Sequence, residues 1–233
     1  MTISSKLIGV ALLAAALLGN AAAAADKPAD TIAQRALACV ACHGKDGRAT
    51  SDGFFPRIAG KPAGYLYNQL INFRDGNRSY PLMTYMVGHM SDEYLKEIAQ
   101  YFSEQHPPYA APQPVRASAD SMALGRRLVL TGDASRKIAA CSACHGETLR
   151  GALPAIPSLL GLPRDYVNAQ IGAWKNGARK ARALDCMAHI SKQLSADEVG
   201  AISAWLAAQP IPRDMAPAPA AAVTLPTPCG SAQ

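Results

Sequence analysis

Hydrophobic residues recur along this chain at intervals of three and four, the spacing of one face of an α-helix. After Ser91 they fall at Tyr94, Ile98, Tyr101 and Phe102. The Ser91 hydroxyl is suited to cap the N terminus of this helix, and the two acidic residues that follow suit its positive end. The pattern therefore predicts a capped, amphipathic helix over 91–102.

The same pattern returns after Ser195, where Glu198 completes a capping box. One face of this helix carries the apolar residues Val199, Ile202, Trp205 and Leu206. Further helices are predicted over 64–74 and 164–175, and before each cysteine motif, around 30–38 and 118–130. No alternating strand pattern of useful length appears. The sequence therefore predicts an all-α fold.

An internal duplication organises the chain. The motif Cys-x-x-Cys-His-Gly at 39–44 recurs at 141–146, and each copy is followed by a Pro-x-x-x-Gly segment, a Tyr-x-x-x-Gln helix and the serine-capped helix. Four prolines within 105–114 exclude a helix between the copies and predict a stiff, extended linker. We expect a signal peptide, a first domain, a linker, a second domain and a loosely ordered Pro/Ala-rich tail, at 1–25, 26–104, 105–117, 118–209 and 210–233.

The N-terminal segment has the features of a secretory signal. Lys6 precedes an apolar run over 7–19, and small residues follow before Asp26. An uncleaved membrane anchor is the competing interpretation, although the run is short for a bilayer span. No later segment is apolar for long enough to cross a membrane, so we expect a periplasmic protein without a membrane span after signal removal.

Positive charge is concentrated in the second half of the chain. The whole chain carries 23 basic and 17 acidic residues, a net charge of +6. Residues 26–115 have nine of each sign, whereas residues 116–233 have thirteen basic and eight acidic, a net of +5. The cluster Lys175, Arg179, Lys180 and Arg182 is either a docking surface for an acidic partner or a solvated helix face with counter-ions for cofactor carboxylates. No motif for nucleic-acid binding accompanies the charge.

The two cysteine motifs predict covalent haem attachment. Two thiols three residues apart lie on one side of a helical turn, so both reach the vinyl groups of one porphyrin, and the adjacent histidine projects over the iron. A redox dithiol does not need the histidine twice, and a zinc site would pool ligands across motifs. The predicted attachment residues are Cys39, Cys42, Cys141 and Cys144, and the predicted iron ligands are His43 and His145.

The second axial ligand decides between electron transfer and catalysis, since a methionine sulfur closes the iron to substrates. Met83 lies eight residues before Ser91, and Met187 lies eight residues before Ser195. This matched spacing predicts Met83 and Met187 as the sixth ligands. The nearby side chains Met86, Met90, His89 and His189 are expected to pack or to lie at the surface.

These motifs together resemble the dihaem cytochrome c4 family, and the resemblance covers nearly all of the mature chain. It implies two tandem class I cytochrome c domains, each wrapped around one covalently bound haem c. It also implies that the backbone carbonyls of Pro56 and Pro157 orient the haem-ligating histidines. Arg78 and Arg179 are either neighbours of haem propionates or solvated helix-end residues.

The family resemblance implies a carrier that passes single electrons from a respiratory donor, such as a bc1-type complex or a dehydrogenase, to a terminal oxidase or other acceptor. The chain departs from the simplest family pattern at Cys186 and Cys229. These two cysteines form a disulfide, or Cys186 is a thiolate ligand of the second iron, or Cys229 is free or bonded to another chain. A thiolate-ligated iron would favour an enzyme similar to dihaem thiosulfate dehydrogenases. A dihaem peroxidase and a cytochrome subunit of a periplasmic dehydrogenase also compete with a carrier that has no enzymatic activity.

Overall fold

The computed structural model describes residues 29–50, 55–112 and 114–232. The predicted signal peptide, residues 1–25, lies outside this described part. Within it, no helix combines the length and the apolar character that crossing a membrane requires.

Helices account for the regular structure of both halves, and no named strand occurs among the described residues, which confirms the all-α prediction. Short 3-10 turns lie at Lys45–Gly47, Ala134–Arg136 and Ala220–Ala222. The first half contains α1 (Ile32–Arg35), α2 (Leu37–His43), α3 (Ala63–Arg74), α4 (Pro81–Val87) and α5 (Asp92–Ser103). The second half contains α6 (Ala119–Leu130), α7 (Cys141–His145), α8 (Arg164–Asn176), α9 (Cys186–Gln193) and α10 (Ala196–Ala207).

The predicted helix caps are present. The Ser91 hydroxyl accepts a hydrogen bond from the Tyr94 amide at 3.2 Å. At α10 the Ser195 hydroxyl accepts from the Glu198 amide at 3.2 Å, and the Glu198 carboxylate accepts from the Ser195 amide at 2.8 Å. The capping box predicted from the sequence is therefore confirmed.

The start of the first domain differs from the prediction of one helix around 30–38. The structure has two helices, α1 and α2, which meet at the fully buried Ala36. The second of them continues through the cysteine motif to His43. The motif therefore lies on a helix, with both cysteines and the histidine within two turns.

Helices α6 and α10 pack so closely that only a glycine fits between them. A Cβ atom at Gly125 would lie 2.2 Å from the Ala201 carbonyl oxygen and 2.9 Å from the Trp205 Cβ. Leu128 and Ile202 belong to the hydrophobic core at this crossing. The crossing fixes one wall of the second domain.

The two halves pair through equivalent segments. The Ser79 amide donates to the Ala178 carbonyl at 2.7 Å, and the Lys180 amide donates to the Asn77 carbonyl at 2.7 Å. These bonds enclose an antiparallel bridge between Arg78 and Arg179. The duplicated segments therefore meet each other across the domain boundary.

Those residues of the proline-rich connection that the structure describes form no helix, as predicted, and the connection is tied to the first domain. The Arg57 guanidinium donates to the carbonyls of Pro107 and Pro108 at 2.6 and 3.2 Å. Its carbon lies 3.8 Å from the centre of the Tyr109 ring. A Cβ at Gly161 would contact that same ring, so the linker touches both domains.

The C-terminal tail is not loosely ordered, and that expectation was wrong. The Ala218 amide donates to the Gly151 carbonyl and the Ala218 carbonyl accepts from the Leu153 amide, both at 2.9 Å. Further on, a disulfide joins Cys186 to Cys229. The backbone hydrogen bonds and the disulfide together offset the conformational entropy that this Pro/Ala-rich tail loses when it is ordered.

Candidate functional site

Both cysteine motifs lie on short helices that end at a histidine. Helix α2 ends at His43 and α7 at His145, and each is followed by a glycine with positive φ, Gly44 at 75° and Gly146 at 83°. A side chain at Gly44 would also meet the Ala49 carbonyl at 2.4 Å. Glycine thus lets the chain turn away directly after the histidine.

Each motif histidine is oriented by a backbone carbonyl. The Nδ1 atom of His43 lies 2.9 Å from the Pro56 oxygen, and that of His145 lies 2.8 Å from the Pro157 oxygen. A carbonyl only accepts, so Nδ1 carries the proton and Nε2 is left to bind a metal. This confirms the orientation that the family resemblance implied.

Burial keeps both histidines in the neutral form that binds a metal. Each is 8% exposed. Burial lowers the pKa of His43 and of His145, and the proline carbonyls oppose this only in part. Neutral imidazole is the form in which histidine ligates iron.

Burial disfavours the thiolate form of three of the four motif cysteines. Burial raises the pKa of Cys39 and Cys144, and raises the pKa of Cys141 to about 12. A redox-active dithiol requires a lowered pKa, so these cysteines are not poised for that chemistry. In the described ranges, no group of three or more His, Cys, Asp or Glu side chains is arranged to hold a metal ion.

One apolar cavity collects the predicted ligands of the second domain. Its walls include Cys141, Cys144, His145 and Met187 together. Apolar side chains from α8 and α10 complete the wall, among them Val167, Ile171, Trp174, Ile202 and Leu206. The cavity therefore places a histidine, a methionine and two thiols around one apolar space, which suits a covalently attached porphyrin.

In the first domain, the structure places Met83 on α4, in an apolar cluster around Phe73, Val87 and Leu95. Met86 and Met90 pack against the same cluster, in agreement with their expected packing role. His89 and His189 are exposed, also as expected. The matched sequence spacing remains the argument that singles out Met83 among these methionines.

Two arginines form a reciprocal network where the domains meet. The Arg78 guanidinium donates to Gln69 of its own domain at 3.0 Å and to Gln170 of the other domain at 2.6 Å. The Arg179 guanidinium donates to Gln170 at 2.7 Å and to Gln69 at 2.8 Å. Arg179 is 5% exposed. The hypothesis of a solvated helix-end residue is therefore wrong for Arg179.

This network holds more positive charge than its protein partners neutralise. Burial, followed by repulsion from Arg78, lowers the pKa of Arg179. Although burial opposes it, the positive charges of Arg179, Arg78 and Lys61 lower the pKa of Tyr65 to about 8. No ion pair among the described residues involves either arginine. A buried and a partly buried guanidinium group without a carboxylate partner suit the propionate groups of haem, so the residues present fit this cofactor.

The basic cluster predicted as a docking surface is only partly available to a partner. Arg179 is buried between the domains, and the Lys175 ammonium donates to the carbonyls of Ser191 at 3.2 Å and Leu194. The docking interpretation is therefore wrong for Arg179, whose burial fits the counter-ion interpretation instead, and backbone carbonyl oxygens already bind the ammonium group of Lys175. Lys180 and Arg182 remain exposed.

The first domain contributes residues to the cavity of the second that were not predicted from the sequence. Lys61, Asn68 and Gln69 of the first domain line the cavity of the second. The recurrence of Tyr-x-x-x-Gln in both copies was the available signal for Gln69 and Gln170, but it does not reveal which surfaces meet. The repeat gives no such signal for Lys61, because the equivalent residue of the second copy is the apolar Leu162.

Curated proteins of similar sequence span most of this chain, although no family model matches it. The thiosulfate dehydrogenase electron acceptor of Thiomonas intermedia is 37% identical over 86% of this chain and 91% of its own length. Cytochrome c4 of Pseudomonas aeruginosa is 32% identical over 87% of this chain and 98% of its own length. The chain belongs to the dihaem cytochrome c4 family.

Solved structures agree with membership of the cytochrome c4 family. Reduced recombinant cytochrome c4 from Pseudomonas stutzeri has a TM-score of 0.65 and 28% identity, covering 76% of this chain and 95% of that chain. Thiosulfate dehydrogenase (TsdBA) from Marichromatium purpuratum has a TM-score of 0.64 and 33% identity. The match covers 74% of this chain but only 36% of that longer chain.

Membership of the cytochrome c4 family fixes the cofactor and the class of activity. The chain carries two covalently attached haem c groups, and it is a dihaem electron-transfer protein. Its mostly helical architecture is that of class I cytochrome c domains.

Proposed function

We propose that this protein is a periplasmic carrier that accepts single electrons from a thiosulfate dehydrogenase and passes them to a terminal oxidase or another respiratory acceptor. The observation that carries the choice of donor is the 37% identity, over most of both chains, to a protein named for accepting electrons from thiosulfate dehydrogenase. A second such protein, from Stutzerimonas stutzeri, is 38% identical over 74% of this chain.

The number of haems suits this donor. Oxidative coupling of two thiosulfate ions to tetrathionate releases two electrons, and two one-electron sites take up both. The proposed attachment sites are Cys39 and Cys42 in the first domain and Cys141 and Cys144 in the second. His43 with Met83, and His145 with Met187, would bind the two irons.

Bound haem supplies the exchange of one electron at iron, and the chain's own groups set the conditions for it. The carbonyls of Pro56 and Pro157 hold the histidine rings, which raises their basicity toward the metal. The buried Arg179 and the partly buried Arg78 supply positive charge that favours the reduced state. The apolar wall around Met187 excludes water from the second site.

The disulfide supports a carrier over an enzyme. The alternative of an enzyme similar to thiosulfate dehydrogenases requires Cys186 to ligate iron as a thiolate. In the structure the Cys186 sulfur is bonded to Cys229, so it is not available as a thiolate. We therefore propose that both irons are closed by methionine, and that no substrate bond is broken at either.

We further propose that an acidic surface of a redox partner docks at Lys180 and Arg182, here called the basic patch. Both residues are exposed and make no ion pair within the described residues. Leu184, which is 63% exposed, lies beside them in sequence and supplies an apolar contact. Exposed charge next to an apolar residue suits a transient electron-transfer complex.

The test is stopped-flow reduction of the oxidised holoprotein by thiosulfate and a thiosulfate dehydrogenase. We expect both haems to be reduced, and the double variant Lys180→Glu/Arg182→Glu to react about tenfold more slowly at low ionic strength. The charge-matched control is Arg126→Glu/Arg127→Glu on α6, which should keep the original rate. Failure of the enzyme to reduce the unmodified protein contradicts the donor assignment, and equal rates for both double variants contradict the docking assignment.

A further inference from the structure

The last residues of the chain form part of the wall of the second haem cavity. We call residues 225–232 the C-terminal strap. Leu225, Thr227, Cys229 and Ser231 line the same cavity as Met187. The strap is thus part of the site itself, although it lies far along the chain from the cysteine motif.

The strap is fastened at three points in succession. Cys229 is bonded to Cys186, with 5.1 Å between their Cα atoms. The Gly230 amide donates to the Leu184 carbonyl at 3.0 Å, and the Asn68 side chain donates to the Ser231 carbonyl at 3.1 Å. The third bond comes from the first domain, so the strap closes the cavity where the two domains meet.

The close approach at Gly230 shows how tightly the strap is seated. A Cβ there would lie 2.2 Å from the Ala183 carbonyl oxygen. Any residue other than glycine would push the strap away from the segment that precedes α9. Glycine at this position therefore allows the disulfide and the adjacent backbone bond to form together.

The first domain lacks the residue that would hold such a strap. Cys186 directly precedes Met187, whereas Leu82 directly precedes Met83 at the equivalent position. After α5 the chain enters the linker instead, where Arg57 holds Pro107 and Pro108. The fastening is therefore specific to the second site.

Met187 lies where a helix opens most easily. It is the second residue of α9, and the helix is capped there by the Asp185 carboxylate, which accepts from the Ala188 amide at 2.9 Å. Terminal turns fray at low free-energy cost. A covalent tether at Cys186 holds this first turn against the cavity wall.

We propose that the Cys186–Cys229 disulfide and the strap are positioning elements of the second haem site, which keep Met187 in place and keep small molecules from the iron. The inference rests on the proposed role of Met187 as a ligand. Cleaving the disulfide lets the first turn of α9 open, so that the second site exchanges its methionine for an added ligand while the first site does not.

The experiment compares the oxidised holoprotein with Cys186→Ser/Cys229→Ser, without any redox partner. Two signals are followed: the weak long-wavelength charge-transfer band of Met–Fe(III), and the rate of cyanide binding. We expect cyanide to bind one of the two haems about tenfold faster or more in the variant, with the other haem unchanged. Unchanged cyanide rates at both haems in a folded variant overturn the proposal.

Met187→Ala separates failure of the strap from failure of the ligand assignment. This variant should lose half of the charge-transfer band. If it retains the full band, Met187 is not the ligand. If Met187→Ala loses half the band while the double cysteine variant behaves as the unmodified protein does, the ligand assignment stands and only the positioning role of the strap is refuted.

A second measurement needs no substitution, in case the double variant fails to fold. The unmodified protein is reduced with ascorbate, which leaves disulfides intact, or with ascorbate and a phosphine, which cleaves them. We expect carbon monoxide to bind one haem faster after phosphine treatment. Equal rates with and without phosphine, once mass spectrometry shows that the disulfide is cleaved, contradict the inference.

Discussion

Replacing Gly125 with alanine should destabilise the second domain, although alanine is the better helix former. The new Cβ would lie 2.2 Å from the Ala201 oxygen and 2.7 Å from its carbonyl carbon. These are backbone atoms, so the helices themselves must separate. Overpacking of this kind costs about 3 kcal/mol at the upper end of its usual range. The higher helix propensity of alanine offsets about 1 kcal/mol of this cost. The free energy of unfolding should therefore fall by about 2 kcal/mol.

Gly200 provides a matched control on α10, the other helix of the same crossing. A Cβ there would have only the Arg164 guanidinium nearby, at 3.9 Å. Gly200→Ala should therefore gain helix propensity without strain and stabilise the protein by about 0.5–1 kcal/mol. The same substitution is thus expected to have opposite signs on the two facing helices.

Guanidinium-induced unfolding of the holoproteins, followed by far-ultraviolet circular dichroism, measures both effects. We expect a lower transition midpoint for Gly125→Ala and an equal or higher one for Gly200→Ala, at unchanged haem content. A Gly125→Ala protein as stable as Gly200→Ala would refute the argument that the glycine permits the close helix crossing.

Three further predictions concern the ligands, the buried charge and the response to acid. Met83→Ala and Met187→Ala should each remove half of the Met–Fe(III) charge-transfer band, and an unchanged spectrum would reject the ligand in question. Arg179→Gln removes a buried cation and should lower the reduction potential of at least one haem by roughly tens of millivolts, measured by spectroelectrochemistry. Ser135 and Arg136 hold the pKa of Asp133 at about 2, below its usual 3.8. The Asp133 carboxylate therefore stabilises the folded protein above pH 3.8, and this contribution is lost as the pH falls towards 2. Asp133→Asn should flatten that part of the acid-unfolding curve, and an identical curve would contradict this.

Local signals in the sequence predicted local structure well. Ser91 and Ser195 cap their helices as expected because a cap depends only on residues within one turn. The orientation of the motif histidines by Pro56 and Pro157 followed from the family resemblance, and it is confirmed by their hydrogen bonds to His43 and His145. Such features need no knowledge of how the domains meet.

Contacts between distant segments were not predictable in the same way. Arg179 follows a helix end and looks solvated in the sequence, yet it is buried because the duplicated segments pair across the interface. The tail is rich in proline and alanine, and its order comes from backbone bonds to Gly151 and Leu184 and from Cys186. The amino-acid composition of the tail does not reveal which distant residues it will bond to.

The most direct test of the carrier assignment is a count of electrons with thiosulfate, in the presence and absence of a thiosulfate dehydrogenase. We expect the oxidised holoprotein to stay oxidised with thiosulfate alone, and to take up two electrons per chain when the enzyme is added. Reduction by thiosulfate alone, with tetrathionate formed in proportion, would show that the chain is itself the catalyst.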